Sequence, residues 1–300
     1  MKNPGKQKKY PLSVVIPTLG GDILANTIAC LNKGDSIPVE ILICIPEGES
    51  SKVEKLTQEN VKVIKTPCRN QVAQRAYGLQ RISQPMVLQL DDDVELTPAD
   101  LDMLVQALDQ LGRGHALAPL FRHLSTGQYM IEYTRGISGK LQSLLASLIC
   151  GAPWGIKRMG VISPAGIGYG VDRRYCEPGL FETQWLPGGC VICHREDLVT
   201  EDYYPFPFAG KAFGEDLVHS VLWKKQGTRL WMHLDASGGI SVAPMLFNWQ
   251  TEKTILRVHE YIVKLTGGNN WQLRLWYVLH ISKKIILIGF RRILPQIEKS

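Results

Sequence analysis

The chain has 300 residues, 45% of them hydrophobic, enough to bury a core as one large domain or as a domain with an appendage, and this excludes a disordered chain. The formal net charge of +6 is uneven: residues 1–10 hold four lysines and no acid, residues 251–300 hold nine Lys or Arg against three Asp or Glu, and the body between is mildly acidic. Basic ends on such a body suit an anionic membrane surface or nucleic acid.

The lysine-rich start runs into Pro11-Leu12-Ser13-Val14-Val15-Ile16-Pro17, an apolar stretch too short and too strand-like for the core of a signal peptide, so a cytoplasmic location is expected. Leu12 to Ile16 is a β-branched run closed by Pro17, the pattern of a buried strand, and Val39 to Ile45 repeats it. Asp22 to Leu31 between them can form a helix. Val61 to Ile64 reads as a third strand, Gln71 to Ile82 as a helix, and Met86 to Leu90 as a fourth strand that stops at an acidic triplet. Pro98 and Asp100 then open a helix through Leu111. Strand and helix alternating at this spacing predict a mainly parallel α/β sheet with helices on both faces, whose ligands sit at the carboxyl ends of the strands.

From residue 112 the alternation weakens into Gly- and Pro-rich segments such as Gly151-Ala152-Pro153-Trp154-Gly155, expected to be a loop-rich substrate region. The seven cysteines, Cys30, Cys44, Cys68, Cys150, Cys176, Cys190 and Cys193, are odd in number and mostly isolated, as reduced thiols are. Cys190 and Cys193 have zinc-ligand spacing but lack a second pair, which favours a strand core over a metal site.

The triplet Asp91-Asp92-Asp93 crowds like charges at a strand end, a cost that a divalent cation removes. Carboxylates are hard ligands suited to Mn²⁺ or Mg²⁺, and Mg²⁺ typically takes one or two of them, with phosphate oxygens and water completing its shell. A diphosphate is the natural partner. An acidic run is also what a solvated loop or a helix cap looks like; the strand before this one and the helix start after it favour the metal.

The order of motifs resembles a family 2 glycosyltransferase of the GT-A fold over about residues 11–240. Ser13-Val14-Val15-Ile16-Pro17-Thr18 is similar to the first strand of that family, which ends in Pro-Thr beside the nucleotide. Arg75-Ala76-Tyr77-Gly78-Leu79 resembles its donor-site helix, and Asp91-Asp92-Asp93 its D-x-D element. Trp185-Leu186-Pro187-Gly188-Gly189-Cys190 looks like the glycine-containing entry to the acceptor pocket, and Phe213-Gly214-Glu215-Asp216 like the E-D element.

The resemblance implies donor contacts from Pro17, Thr18, Arg75, Asp91, Asp92, Gly188 and Gly189, with Asp91 and Asp93 on the metal. It also implies an inverting single displacement in which an acid of the E-D element is the general base, Asp216 in first place and Glu215 in second; helix capping is the bland role for both acids. The expected substrates are a nucleotide sugar, nominally a UDP-sugar, and a glycan or lipid-linked sugar acceptor.

Where relatives carry Asp-Asp-Gly-Ser after the second strand, this chain has Cys44-Ile45-Pro46-Glu47-Gly48-Glu49-Ser50, so Glu47 is the candidate for the nucleobase contact. His233 lies out of register for the metal-side histidine that many relatives carry. His194, Arg195 and Lys211 are candidate acceptor or phosphate contacts. A nucleotidyltransferase is the competing enzyme class, disfavoured because Thr18-Leu19-Gly20-Gly21-Asp22 has no Lys or Arg for a phosphate loop. A non-catalytic, membrane-associated nucleotide-sugar-binding protein is a third reading, and nucleic-acid binding lacks a motif.

These readings divide the chain into a basic tail, 1–10; a glycosyltransferase domain, 11–240, with a nucleotide-sugar half at 11–111 and an acceptor half at 112–240; and a basic helical region, 241–300. At ~100° per residue, Trp271, Leu275, Val278, Leu279, Ile286, Phe290 and Ile293 share one side of a helix, with Arg274, His280, Lys284, Arg291 and Arg292 on the other. No run reaches the ~18 apolar residues of a membrane span. Residues 271–294 are expected to lie on an anionic membrane surface, placing the protein peripherally on the inner face of the cell membrane; docking on the body or on a second subunit is the alternative.

Overall fold

A computed structural model of the protein describes residues 7–56, 58–200, 203–205, 212–241 and 247–297, with side chains as far as 286 in the last helix. These residues form two compact units, one made of residues up to Tyr133 and from Gly170 to 241, the other of Thr134–Tyr169 and the residues from 247 on. Residues 134–169, read from sequence as part of the acceptor half, thus cluster with the C-terminal helices.

The first unit is built on a sheet with the order β3-β2-β1-β4-β8-β6-β9-β5. Its strands are β1 (Lys8–Pro17), β2 (Ser36–Pro46), β3 (Val61–Thr66), β4 (Met86–Leu90), β5 (Val94–Leu96), β6 (His115–His123), β8 (Cys190–His194) and β9 (Arg229–Ile240), with β7 (Leu180–Thr183) paired to β9 off this path. β3, β2, β1 and β4 run parallel, as the alternation predicts. β8 enters antiparallel to β4, and the sheet is therefore mixed.

Successive strand side chains point to opposite faces, so each central strand feeds two cores. Val14, Ile16, Ile41, Ile43, Ile45 and Leu88 pack beneath α1 (Leu24–Leu31) and α3 (Pro98–Leu111), while Val15, Leu42, Cys44 and Val87 meet the opposite face. α2 (Gln71–Leu79) lies on that second face. Gly78 makes its close approach possible: a Cβ there would stand 2.3 Å from Cys44 Sγ and 2.7 Å from Val15 Cγ1. α3 begins at a capping box, in which Thr97 accepts from the Asp100 amide and Asp100 reaches back to Thr97, with Pro98 at the first helical position. Cys190 and Cys193 are fully buried strand-core thiols, which burial holds well above the usual thiol range.

The second unit contains α4 (Gly136–Cys150), α6 (Trp249–Thr266) and α7 (Asn270–Ile297). Cys150, Ala165, Val263 and Leu273 form its small core. Among the described residues, no helix is long and apolar enough to cross a membrane.

Candidate active site

β4 stops at Asp91, whose backbone amide donates to Gly189 O at 2.8 Å, so the triplet emerges beside the loop that leads into β8. The three carboxylates then diverge. Asp91 Oδ1 accepts from Arg75 Nη2 at 2.9 Å and from Gln71 Nε2 at 3.0 Å, while Oδ2 has no hydrogen bond among the described residues. Asp92 turns towards β1, where Thr18 Oγ1 donates to its Oδ2 at 2.5 Å. Asp93 makes no hydrogen bond through its side chain among the described residues and lines the cleft.

Thr18 is itself fixed: its amide donates to Cys44 O at 3.0 Å, and Gln74 Nε2 donates to both Thr18 O and Cys44 O. α2 supplies Gln71, Gln74 and Arg75 from one face of its first turns, after Asn70 caps it by accepting from the Ala73 amide. That face points at the ends of β1 and β4.

Arg75 is 1% exposed and joins the two acidic motifs. Nη1 donates to Glu215 Oε1 at 2.7 Å while Nη2 holds Asp91. Glu215 Oε2 accepts from Tyr203 Oη at 2.5 Å, so both oxygens of Glu215 are engaged. Tyr203 stacks on His219, and His219 on Trp223, with ring centroids 4.6 and 3.7 Å apart. Burial pushes the His219 imidazole down to about 3, so it stays neutral beneath Glu215.

α5 (Glu215–Lys225) starts at Gly214, at φ +66°, with no side-chain cap. Glu215 and Asp216 both lie in its first turn, where the helix dipole favours acids, although neither occupies the N-cap position. Asp216 Oδ1 accepts from the Leu217 amide at 2.9 Å, and its carbonyl accepts from Ser220 Oγ, which in turn accepts from the Leu186 amide. This ties α5 to the Trp185–Cys190 loop. Gly188 permits the contact, since a Cβ there would lie 2.7 Å from Glu215 Oε1 and 3.2 Å from Asp216 Cβ.

Charge in the cluster follows burial and proximity. Burial raises Asp91 to about 6, with Glu215 and Asp93 adding repulsion against the pull of Arg75. Burial also raises Asp216, to about 7, and neighbouring Glu215 adds to it. Glu215 resists the same burial because Arg75 holds its carboxylate below the usual range.

Two cavities meet at the triplet. One, of about 580 Å³, is lined by Pro17, Thr18, Leu19, Arg69, Gln71 and Asp91 to Asp93 among others. The second, of about 310 Å³, contains Asp91, Asp93, Trp185, Gly188, Gly189 and Asp216, with an apolar wall from Phe121, Tyr129 and Met232. Asp91 and Asp93 belong to both. Among the described residues, no group of three or more His, Cys, Asp or Glu is placed to hold a metal alone. The oxygens free to meet a ligand at the triplet are Asp91 Oδ2 and the Asp93 carboxylate, hard donors of the kind that Mn²⁺ or Mg²⁺ takes.

Pro17, Thr18, Arg75, the three aspartates, Gly188, Gly189, Glu215 and Asp216 are thus brought together. Glu47 is exposed, in the turn after β2, and lines neither cavity. His194 and Arg195 do not reach the site: β8 runs antiparallel, so His194 pairs with Met86 at the far end of β4 and Arg195 binds Pro85 O. His233 Nδ1 accepts from the Asp235 and Ala236 amides in β9, a structural role. Lys211 lies outside the described residues. Arg69, Gln71, Gln74 and Tyr203 escaped the sequence reading; the spacing of Gln71, Gln74 and Arg75 on one helix face signals the middle pair, and nothing local signals Tyr203.

A mixed sheet flanked by helices, with an acidic triplet at a strand end beside an E-D helix start, is the GT-A glycosyltransferase fold. Residues 13–148 match the family model described as Glycosyl transferase family 2, a segment of just under half of the chain. The crystal structure of GalNAc-T7 with UDP, GalNAc and Mn²⁺ superposes with a TM-score of 0.59 at 17% identity, covering 87% of this chain and 48% of that one. Residues 1–349 of S. aureus TarS give 0.52 at 16% identity, covering 84% and 64%. At these identities the likeness is one of fold, and the chain spans about half of the GalNAc-T7 chain and under two thirds of the TarS one. No curated protein sequence matches the chain significantly.

Proposed function

We propose that the chain is a glycosyltransferase that moves a sugar from a nucleoside diphosphate sugar, a UDP-sugar in the first instance, to a hydroxyl of a glycan or lipid-linked acceptor. The observation that carries this reading is that Asp91 and Asp93 are shared by two cavities, one running to Pro17 and Thr18 and the other to Asp216. The nucleotide fits the first, with Arg69 at its wall as a cation for phosphate. The acceptor fits the second, where Trp185 and the apolar wall can cover a sugar ring.

Asp91 and Asp93 would hold Mn²⁺ or Mg²⁺, which when bound neutralises the charge of the departing nucleoside diphosphate. The GalNAc-T7 structure, with UDP and Mn²⁺, supports that choice. Asp216 is the general base: it lines the acceptor cavity and can take the hydroxyl proton as the new C–O bond forms and the old one breaks, an inverting displacement without a covalent enzyme intermediate. Glu215, with both oxygens occupied, positions Arg75 instead.

Calorimetric titration with UDP in the presence and absence of Mn²⁺ tests the reading. Binding of equal strength without metal overturns it. The same reading seats residues 271–294 on an anionic membrane surface at the inner face of the cell membrane, supported by the exposure of Trp271, Leu275, Val278, Leu279 and Ile286.

A further inference from the structure

α7 is packed inside out relative to its composition. Its inward face carries Leu273, Trp276, His280 and Lys284. His280 Nε2 and Lys284 Nζ both reach the buried carboxylate of Glu252 in α6, at 3.1 and 2.5 Å, and Trp276 stacks on His280. The opposite face is apolar and open: Trp271, Leu275, Val278, Leu279, Ile285 and Ile286 are all exposed, Trp271 by 74%. At ~100° per residue, Arg274 and Lys283 fall on the two borders of this stripe.

α4 repeats the arrangement. Ser143 and Cys150 face inward, and Ile137, Leu141, Leu144, Leu145 and Leu148 form a stripe on the side facing away from them. Their spacing of four, three, one and three residues is that of a continuous helix face. Ile137 is 86% and Leu148 66% exposed, far from what an ordinary solvated helix presents. The two helices meet where Gly151, just past α4, lies against Gln272, and where Cys150 shares a core with Leu273.

Charge selects the occupant. α4 and α7 together hold six Lys or Arg and no Asp or Glu; Lys284 is taken up by Glu252, while Lys140, Arg274 and Lys283 are exposed, as is Lys157 after α4. A second copy of the chain would bring these exposed cations against each other, whereas an anionic lipid surface complements them, with Trp271 and Trp154 suited to the headgroup region. We infer that the outward stripes of α4 and α7 form a two-helix membrane-docking surface for anionic lipid. This extends the membrane part of the proposed function from residues 271–294 to α4, and it does not depend on the sugar-transfer part.

The test is sedimentation of the full chain with vesicles of equal parts phosphatidylglycerol and phosphatidylcholine, and with phosphatidylcholine alone. The wild type is expected to bind the anionic vesicles. Leu141→Gln/Leu144→Gln/Leu148→Gln is expected to weaken that binding by roughly tenfold or more, and Val278→Gln/Ile286→Gln likewise. Both variants change only exposed side chains, so an unchanged melting temperature and unchanged Mn²⁺-dependent UDP binding are expected. An α4 variant that binds like wild type overturns the assignment of α4. Failure of the wild type to bind, or a wild-type dimer that the α4 variant dissociates, overturns the lipid assignment and gives the surface to a second copy. Loss of UDP binding in a protein that still binds vesicles would count against the transfer reading alone.

Discussion

Arg75 Nη1 lies 2.7 Å from Glu215 Oε1, a buried ion pair that links the first turns of α2 to the start of α5 across 140 residues of sequence. Removing one partner strands the other charge in the interior. Arg75→Ala is expected to cost about 3–5 kcal/mol in chemical denaturation. Arg75→Met combined with Glu215→Gln should recover part of that loss, and a double variant no more stable than Arg75→Ala would refute the pairing.

Asp93→Ala is expected to abolish Mn²⁺-dependent UDP binding in calorimetry while leaving the melting temperature unchanged, because the Asp93 side chain makes no hydrogen bond among the described residues. Asp92→Ala should instead loosen the Thr18 contact and weaken binding in part. Equal losses in the two variants would contradict the division of roles.

Asp216→Asn is expected to keep UDP binding and to stop transfer, as read by release of nucleoside diphosphate with an acceptor present. With its carboxyl raised to about 7 by burial, the wild type should gain activity as pH rises through 7, where the base becomes ionised. Stability runs the other way. A raised carboxyl binds its proton more tightly when folded, so this contribution is present in acid and is lost as pH rises towards 7. Asp216→Asn should therefore be more stable than the wild type at pH 8, and equal melting temperatures there would tell against the buried acid.

Gly78→Ala is expected to destabilise by about 1–3 kcal/mol through overpacking, since the added methyl would press on Cys44 and Val15. Gly188→Ala, whose methyl would lie 2.7 Å from Glu215 Oε1, should lower turnover more than stability. A Gly188→Ala enzyme with full turnover would remove that glycine from the site's supporting frame.

The donor half was legible because its signals are local. Apolar runs closed by Pro17 or Asp91, the Thr97–Asp100 box and Pro98 each mark an element within a few residues. What the sequence left hidden depends on partners far along the chain. α4 passed for loop because Gly136 and Gly139 interrupt its start and no side chain caps it, although its leucine spacing is helical. His194 looked available because nothing nearby reveals that β8 turns antiparallel and carries it away from Asp91. The amphipathic pattern of α7 gave two faces, but Glu252, in another helix, decides which is inward.

The hydrogen bond from Asp91 N to Gly189 O has a further consequence. It stitches the first residue of the acidic triplet to the loop that lines the second cavity, at the seam where parallel strands give way to β8. Two reactants seated on either side of that seam would meet across a single backbone link, which favours their alignment. Differences in what the second cavity accepts can then accumulate in its wall, at Tyr129 to Ile131 and Gly170 to Trp185, without disturbing the seam.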